Sequence, residues 1–255
     1  MHQLFDMTGR VAVITGSTKG MGLEMARALG TTGAKVVVSG RSEETAKATA
    51  DQLAKDNGII AAGLGCDIAD MESVRKFAKQ SQEAFGRVDA LVLNAAADPP
   101  VGSMLSQGPN ELEATFRGLL SGNLVLVNAL LPPMIERKDG SIIFMSSRVS
   151  QRGSKGLGLY SVGKAAVDSL VRNLVAEIGA SNVNVNSINP GVVRTDFSRF
   201  IWEDPEAEKR IAFTIPLGRV AEAGDVAGLA LLLASPAGRY ITGQNIFVDG
   251  GRNSV

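Results

Sequence analysis

A short apolar run that breaks into a glycine-rich turn is the feature that most limits how this chain can fold. Residues 11–15 form the run, and Gly16-Ser17-Thr18-Lys19-Gly20-Met21-Gly22 follows before an amphipathic pattern starts at Leu23. Glycines allow a tight turn close to a pyrophosphate, and a helix N-terminus offers free N–H groups and a positive dipole end. The strand–turn–helix context predicts a dinucleotide site, although G-x3-G-x-G alone would also suit an ordinary loop.

Beyond this turn, short apolar runs alternate with longer amphipathic ones. This alternation predicts a parallel sheet with right-handed crossovers, hence an α/β, doubly wound Rossmann fold of about seven strands with helices on both faces. With no linker or composition break, residues 1–255 are expected to form a single domain. Gly33 and Gly140 lie where glycines commonly end helices. Strands are expected at residues 11–15, 35–39, 59–66, 90–93, 141–146, 183–189 and 245–248, and helices at 22–32, 42–56, 71–85, 111–137, 157–178 and 223–234.

Composition narrows the partners and the compartment. The 255 residues carry a net charge of +0, which gives no electrostatic reason to expect nucleic acid as a partner. No apolar run reaches the roughly 20 residues of a membrane span, so no membrane association is expected. Cys66 is the single cysteine, so an intrachain disulfide is impossible. A reducing, cytoplasmic location is expected.

The histidine count removes several mechanisms. His2 is the single histidine of the sequence and lies at its N-terminus. A Ser-His-Asp hydrolase, a histidine-ligated zinc enzyme and a histidine general base are therefore not expected, and no metal site is predicted. Catalysis would have to use Tyr, Lys, Ser, Asp, Glu or a cofactor.

The end of the second predicted strand indicates which dinucleotide binds. NAD sites place an acid there to hold the ribose 2′-OH, whereas NADP sites place cations there to meet the 2′-phosphate. This chain has Gly40 and Arg41 at that point, with no acid before Glu43, and Lys19 adds a cation inside the glycine turn. NADP(H) is therefore predicted, unless both cations are simply solvated at the surface.

Three residues in the second half form a candidate catalytic group. Tyr160 and Lys164 are spaced i, i+4 on a predicted helix and so share a face, and Ser147 follows a predicted strand at its carboxyl end. A nearby ammonium favours the phenolate and is expected to lower the tyrosine pKa. Tyr160 could then exchange a proton with a substrate oxygen that Ser147 orients. Taken alone, a Tyr-x3-Lys pair is more often structural.

Residues 196–216 fit no sheet period, and a connection this long is usually functional. Four of the 12 aromatic residues of the chain fall within this segment: Phe197, Phe200, Trp202 and Phe213. We expect a mobile apolar lid over the substrate, with Phe197, Phe200 and Trp202 in contact with it alongside Ser147 and Tyr160. Packing under a loop, or at a subunit contact, is the alternative.

Taken together, these motifs resemble the short-chain dehydrogenase/reductase family, in its shorter single-domain subgroup, from about residue 6 to residue 251. The resemblance adds five features to the glycine turn and the Ser147, Tyr160 and Lys164 group. They are Asp67 after the third strand, Asn94-Ala95-Ala96 after the fourth, Asn189-Pro190-Gly191-Val192-Val193-x-Thr195, residues 215–219, and a C-terminal segment, residues 242–251, that ends in Asp-Gly-Gly.

The resemblance implies site roles and assembly. It places Asp67 at the adenine, Asn94 on the adenosine-ribose side, Lys164 also at the nicotinamide ribose, and Val193 and Thr195 at the carboxamide. It also implies a homo-oligomer, a tetramer or a dimer, formed through the two long central helices and the C-terminal strand. The full cofactor-binding set predicted is Gly16, Ser17, Lys19, Gly20, Met21, Gly22, Arg41, Asp67, Ile68, Asn94, Ala95, Ala96, Tyr160, Lys164, Pro190, Gly191, Val193 and Thr195.

The chain departs from the family pattern in three features. Leu93 replaces the first asparagine of the family's Asn-Asn-Ala-Gly motif and Ala96 replaces its glycine, and Arg148 follows the serine where small or apolar residues are common. Leu119 occupies the place of the family's catalytic asparagine, so only the triad can be transferred. Either Leu119 simply packs against a neighbouring helix, or Asn123, one turn further on, partly replaces the missing amide.

The expected function is NADP(H)-dependent hydride transfer to or from a carbonyl or alcohol on a small to medium hydrophobic substrate, as in a carbonyl reductase. A 3-oxoacyl-thioester reductase is an alternative within the enzymes. A catalytically weak nucleotide-binding regulator is an alternative of another class.

Overall fold

One parallel sheet contains all seven predicted strands in a computed structural model of the protein, which describes residues 3–96 and 100–254. The strand order is β3-β2-β1-β4-β5-β6-β7. Strands β1 to β3 are added toward one edge of the sheet and β4 to β7 toward the other, so the order reverses between β1 and β4. This confirms the doubly wound α/β fold. The strands are β1 (Val11–Ile14), β2 (Lys35–Gly40), β3 (Ala61–Gly65), β4 (Ala90–Leu93), β5 (Gly140–Met145), β6 (Val183–Pro190) and β7 (Asn245–Val248).

Nine α-helices lie within the described residues and connect or follow the strands. They are α1 (Gly20–Thr31), α2 (Glu43–Asn57), α3 (Met71–Phe85), α4 (Pro109–Phe116), α5 (Gly122–Arg137), α6 (Gly158–Ile178), α7 (Arg199–Trp202), α8 (Pro205–Phe213) and α9 (Ala223–Ala234).

The helices cover the sheet on both faces. Alternate residues of each strand point to opposite faces, so Ile14 packs with α1, α2 and α9, whereas its neighbour Val13 packs with α3, α5 and α6. Strands β1, β4, β5 and β6 are buried along their whole length. The continuous apolar composition of β1 and β4 follows from this two-sided cover, whereas β6 carries buried Asn and Ser side chains between its apolar residues.

The single helix expected over residues 111–137 is interrupted. A π-helical turn, Arg117–Ser121, separates α4 from α5, and Leu119 lies at its centre. The span Pro109–Arg137 is long and apolar enough to cross a membrane, but half of its most apolar stretch is buried in the fold, where α5 packs on α3. The prediction that Gly140 ends this helix was wrong, because Lys138 adopts the left-handed conformation (φ 53°) and Gly140 starts β5.

Residues 196–216 form a segment with structure of its own. A 3₁₀ turn, Asp196–Ser198, leads into α7, and α8 follows. The side chain of Asp204 accepts a hydrogen bond from the Glu206 N–H at 3.0 Å and so caps α8, whose first residue is Pro205. The segment that fits no sheet period is therefore partly helical. We call residues 196–216 the lid segment.

Candidate active site

The predicted site residues gather along one edge of the sheet. In the order β3, β2, β1, β4, β5, β6, β7, the carboxyl ends of the strands lead into Asp67, Arg41, Gly16, Asn94, Ser147, Gly191 and Asp249. Ligands of doubly wound sheets bind at this edge, where the strand order reverses. The reversal falls between β1 and β4, at the glycine turn.

The glycine turn is shaped to receive a phosphate group. Gly16 has φ +61°, and a Cβ added there would lie 3.0 Å from Ala95 Cα, so a side chain would be both strained and crowded. Lys19 at the N-cap of α1 makes no capping bond with its side chain. Within residues 3–96 and 100–254, the N–H groups of Gly20, Met21 and Gly22 have no hydrogen-bond partner. These open donors fit a pyrophosphate.

Two side chains of the predicted cofactor-binding set, those of Ser17 and Asn94, form hydrogen bonds with the backbone in and around the glycine turn. Ser17 is fully buried, and its hydroxyl donates to Ile14 O at 2.7 Å and accepts from Ser39 N at 2.9 Å. The amide of Asn94 donates to Thr15 O at 3.0 Å and to Gly16 O at 2.8 Å. Both side chains therefore hold the turn against its neighbouring strands.

The adenosine side contains the predicted cations. Arg41 is exposed at the end of β2 and has no hydrogen bond or ion pair within the described chain. Lys19 instead pairs with Asp196 of the lid segment, with 2.5 Å between Nζ and Oδ2. Asp67 is half-buried, and its Oδ1 accepts from the Ala69 N–H at 3.0 Å. Ile68 is buried beside it, while Ala96 is exposed after β4.

Ser147, Tyr160 and Lys164 come together beyond the end of β5. The Ser147 side chain lies close enough to the Tyr160 hydroxyl to lower the pKa of Tyr160, and Lys164 Nζ lies 5.6 Å from the centroid of the Tyr160 ring. Lys164 Nζ also donates to Met145 O at 2.6 Å. The three side chains are thus close enough to act on one substrate atom and on each other.

Burial shifts both titrating groups toward their neutral forms. It raises the pKa of Tyr160 to about 12, and the hydrogen bond from Ser147 only partly opposes this. It lowers the pKa of Lys164 to about 8, against the opposing charge of Asp168. The expectation of a lowered tyrosine pKa is therefore not met in the protein alone, because loss of solvation outweighs the lowering effect of Ser147.

Sequence reasoning missed a buried polar network behind the triad. Asp168 lies one turn after Lys164 on α6, only 3% exposed, and accepts from Ser187 Oγ at 2.9 Å and from Asn189 Nδ2 at 3.0 Å. The Asn189 amide also lies 3.3 Å from Ser147 O. An acid spaced four residues from Lys164 within an apolar helix was the available signal. The network connects the Lys164 environment to the backbone that carries Ser147.

The loop after β6 approaches the glycine turn. Pro190 and Val193 are buried, Gly191 packs on Asp249, and a Cβ added at Gly20 would lie 3.3 Å from Thr195 Cγ2. The predicted nicotinamide-side residues thus lie between the glycine turn and the end of β7.

One lid aromatic reaches the triad. The rings of Phe197 and Tyr160 lie 5.8 Å apart between centroids. Trp202 instead donates from Nε1 to Thr195 O at 2.9 Å, and Phe200 and Phe213 are 72% and 93% exposed. The structure therefore brings Phe197 to the catalytic group, while Trp202 anchors the lid to the loop after β6.

Leu119 and Asn123 lie beside the helix that carries the triad. Leu119 is buried, and a Cβ added at Gly163, next to Lys164, would lie 2.6 Å from its Cδ1. Asn123 is also buried and donates from Nδ2 to Leu119 O at 2.9 Å, while its Oδ1 has no partner within the described residues. Leu119 therefore packs against the helix that carries the triad, and the side chain of Asn123 is hydrogen-bonded to the Leu119 carbonyl.

In the part of the chain that the structure describes, the single cysteine is not a reactive thiolate, and no cluster of metal-binding side chains is found. Burial, and then Asp67, raise the pKa of the Cys66 thiol to about 12, so it stays protonated. No group of three His, Cys, Asp or Glu residues is placed to hold a metal ion among residues 3–96 and 100–254, and His2 lies outside them.

Comparison with known proteins adds the family. A family model described as "Enoyl-(Acyl carrier protein) reductase" matches residues 16–253. "Dehydrogenase/reductase SDR family member 4" of Bos taurus is 34% identical, and the match covers 96% of this chain and 88% of that protein.

Two solved structures are similar in fold over nearly the whole chain. A gluconate 5-dehydrogenase from Burkholderia cenocepacia J2315, in complex with NADP and tartrate, is 30% identical with a TM-score of 0.91, and the match covers 99% of this chain and 98% of that one. A 7α-hydroxysteroid dehydrogenase, complexed with NADH and 7-oxo glycochenodeoxycholic acid, is 29% identical with a TM-score of 0.92, and the match covers 98% and 97%.

Proposed function

Because the chain belongs to the short-chain dehydrogenase/reductase family, and is thus an oxidoreductase that transfers hydride with a nicotinamide cofactor, we propose that it is an NADPH-dependent carbonyl reductase. Its substrate is a small to medium molecule with a largely hydrophobic body. The observation that carries this proposal is the grouping of Ser147, Lys164 and Phe197 around Tyr160, with Lys164 Nζ 5.6 Å from the centroid of the Tyr160 ring and the Phe197 ring centroid 5.8 Å from it.

The residues divide the work of reduction. The bound cofactor supplies the hydride. Ser147 donates a hydrogen bond to the carbonyl oxygen and orients it, and Tyr160 gives its proton to that oxygen as the alcohol forms. A tyrosine with a pKa of about 12 is protonated at neutral pH, which is the state that reduction requires. The Lys164 ammonium stabilises the phenolate left behind.

The choice of NADPH rests on the end of β2. Arg41 is an exposed guanidinium without an ion pair in the described chain, and its planar fork suits a phosphate. The first acid, Glu43, pairs with Lys47 at 2.7 Å and starts α2, so it does not occupy the place of a ribose-binding acid. The two similar dehydrogenase structures contain NADP in one case and NADH in the other, so the residues of this chain carry the choice.

The assembly and the cell compartment are also proposals. Val162 of α6 and Leu124 of α5 are 40% and 39% exposed although both helices are largely apolar. Association of two or four copies through these helices would cover them. The proposed compartment is the cytoplasm, where the buried Cys66 thiol would remain reduced.

A 3-oxoacyl-thioester reductase is the second candidate. The description of the matching family model names reduction of a substrate on acyl carrier protein, which is also a thioester. Both candidates use the same triad, so they differ in substrate rather than in mechanism.

The proposal is tested by following NADPH consumption at 340 nm with ketones, aldehydes, quinones, steroids and 3-oxoacyl thioesters, with NADH in parallel. We expect turnover of at least one hydrophobic ketone or aldehyde, with higher kcat/KM for NADPH than for NADH. Turnover of the thioesters alone would support the second candidate. Tight NADPH binding without turnover of any carbonyl would overturn the enzyme proposal and favour a nucleotide-binding regulator.

A further inference from the structure

Three arginines gather where β5 and β7 end. Arg148 starts the 3₁₀ turn after Ser147, and Arg252 lies in the turn after β7. Arg152, at the end of the first turn, donates from Nη2 to Asn253 O at 2.8 Å and so ties the two turns together. Burial lowers the pKa of both Arg148 and Arg252; the nearby charge of Arg152 lowers that of Arg148 further, and the charge of Arg148 lowers that of Arg252. Two cations are thus held together against their mutual repulsion.

Within the described chain, Arg148 and Arg252 have no hydrogen bond or ion pair, although both are half-buried. Asp249 is the acid that attracts both groups, but its carboxylate already accepts from Gly251 N at 3.0 Å and from Asn253 N at 2.7 Å. Half-buried cations without a hydrogen bond or a close ion pair carry a desolvation cost, which the nearby Asp249 charge offsets only in part and a bound anion would offset further.

The pair also lies beside the proposed substrate site. Arg148 directly follows Ser147, the residue that would orient the carbonyl. Next to Arg252 in the chain, Gly250 O accepts from Leu217 N at 3.1 Å, and a Cβ added at Gly251 would lie 3.2 Å from Pro216 Cγ. The end of the lid segment therefore borders the arginines on one side, and the catalytic serine on the other.

We infer that Arg148 and Arg252 form a carboxylate-binding subsite, and that the substrate is an oxo acid whose carboxylate binds there while its carbonyl faces Ser147 and Tyr160. Guanidinium groups bind carboxylates through paired hydrogen bonds, and two of them can share one carboxylate. This inference rests on the proposed function and narrows its substrate class from neutral to anionic carbonyl compounds. The apolar lid segment would cover the chain between the two groups.

Direct binding tests the subsite without catalysis. Hexanoate and hexanamide have the same chain and differ in charge, and each is titrated calorimetrically into the NADPH-loaded protein. We expect hexanoate to bind about tenfold tighter or more, as hydrogen bonds between charged groups allow. The advantage should be lost in Arg148→Gln and Arg252→Gln, partly kept in Arg148→Lys, and fully kept in Arg75→Gln, which removes an exposed arginine on α3. Equal binding of the two ligands to the unmodified protein overturns the inference.

Measurements of reduction rates and of oligomeric state distinguish failure of the subsite from failure of the proposed reaction. The efficiency of reduction is compared for 5-oxohexanoate and its methyl ester. An ester reduced as well as the acid, with no effect of Arg148→Gln, overturns the subsite but leaves the reductase proposal standing. If neither is reduced while hexanoate binding still depends on both arginines, the subsite stands and the proposed reaction fails. If the arginine variants dissociate the oligomer and leave hexanoate binding unchanged, the arginines pair with acids of a second copy, and the inference is wrong.

Discussion

Replacing Asp168 with asparagine should shift the pH range in which the protein reduces its substrate. Asp168 is a buried carboxylate one turn from Lys164, and its charge raises the pKa of Lys164 against the larger, lowering effect of burial. Asparagine has nearly the same shape. It can accept from the Asn189 amide and donate to the Ser187 hydroxyl, so the substitution removes the charge while both contacts can persist.

The size of the shift follows from the spacing. The Cβ atoms of residues at i and i+4 on a helix lie about 6 Å apart, and the same separation is taken for the charges of Lys164 and Asp168. At that distance and an effective dielectric constant of about 20, the attraction between the two charges is about 2.8 kcal/mol, or about two pH units in the pKa of Lys164. The hydrogen bonds from Ser187 and Asn189 already stabilise the Asp168 charge, so we expect a fall of about one to two pH units.

The sign of the effect is set by the role of the ammonium. Reduction leaves a phenolate on Tyr160, which a protonated Lys164 stabilises and a neutral one does not. In the unmodified protein the rate should therefore fall as the pH rises through about 8, the pKa of Lys164. In Asp168→Asn the fall should begin about one to two pH units lower.

The assay is single-turnover oxidation of bound NADPH between pH 5.5 and 9.5, with thermal unfolding measured at each pH. Asp139→Asn is the control, because Asp139 is a half-exposed acid that pairs with Arg10 at the opposite edge of the sheet. If Asp168→Asn is folded and its pH–rate profile overlays that of the unmodified protein, the charge of Asp168 does not raise the pKa of Lys164, and the reasoning is refuted.

Three other changes test separate parts of the site. Arg41→Asp should lower kcat/KM for NADPH about tenfold or more and leave NADH less affected, since a charge-assisted contact is lost; an unchanged NADPH:NADH ratio would remove Arg41 from the cofactor site. Asn123→Ala should lower kcat without weakening NADPH binding, and adding Leu119→Asn should restore part of the loss; a variant that turns over like the unmodified protein would leave Leu119 a packing residue only. Phe197→Ala should raise KM for bulky apolar substrates more than for small ones, whereas Phe200→Ala, at a 72% exposed position, should change little; equal effects on all substrates would limit Phe197 to packing.

Features set by local sequence could be predicted. The strands and the glycine turn depend on neighbouring residues, and the apolar runs of β1 and β4 match their complete burial. The edge at which Ser147 and Gly16 meet follows from parallel strands, whose carboxyl ends share one side of the sheet.

Features set by distant contacts could not be predicted. The ion pair of Lys19 and Asp196 joins residues 177 positions apart. It neutralises Lys19, a cation that the sequence analysis predicted to bind the cofactor. The raised pKa of Tyr160 depends on how many elements cover it, which spacing does not reveal. The π-helical turn around Leu119 likewise interrupts a pattern that is continuous in the sequence.

The central claim is that Tyr160 gives the proton during NADPH-dependent reduction, and Tyr160→Phe tests it most directly. The substitution keeps the ring beside Phe197 and removes only the hydroxyl. With the best substrate of the unmodified protein, we predict that kcat falls by about 10² to 10⁴, the usual contribution of a positioned acid, while the Kd for NADPH is unchanged. A Tyr160→Phe protein that reduces this substrate at a near-normal rate would contradict the account.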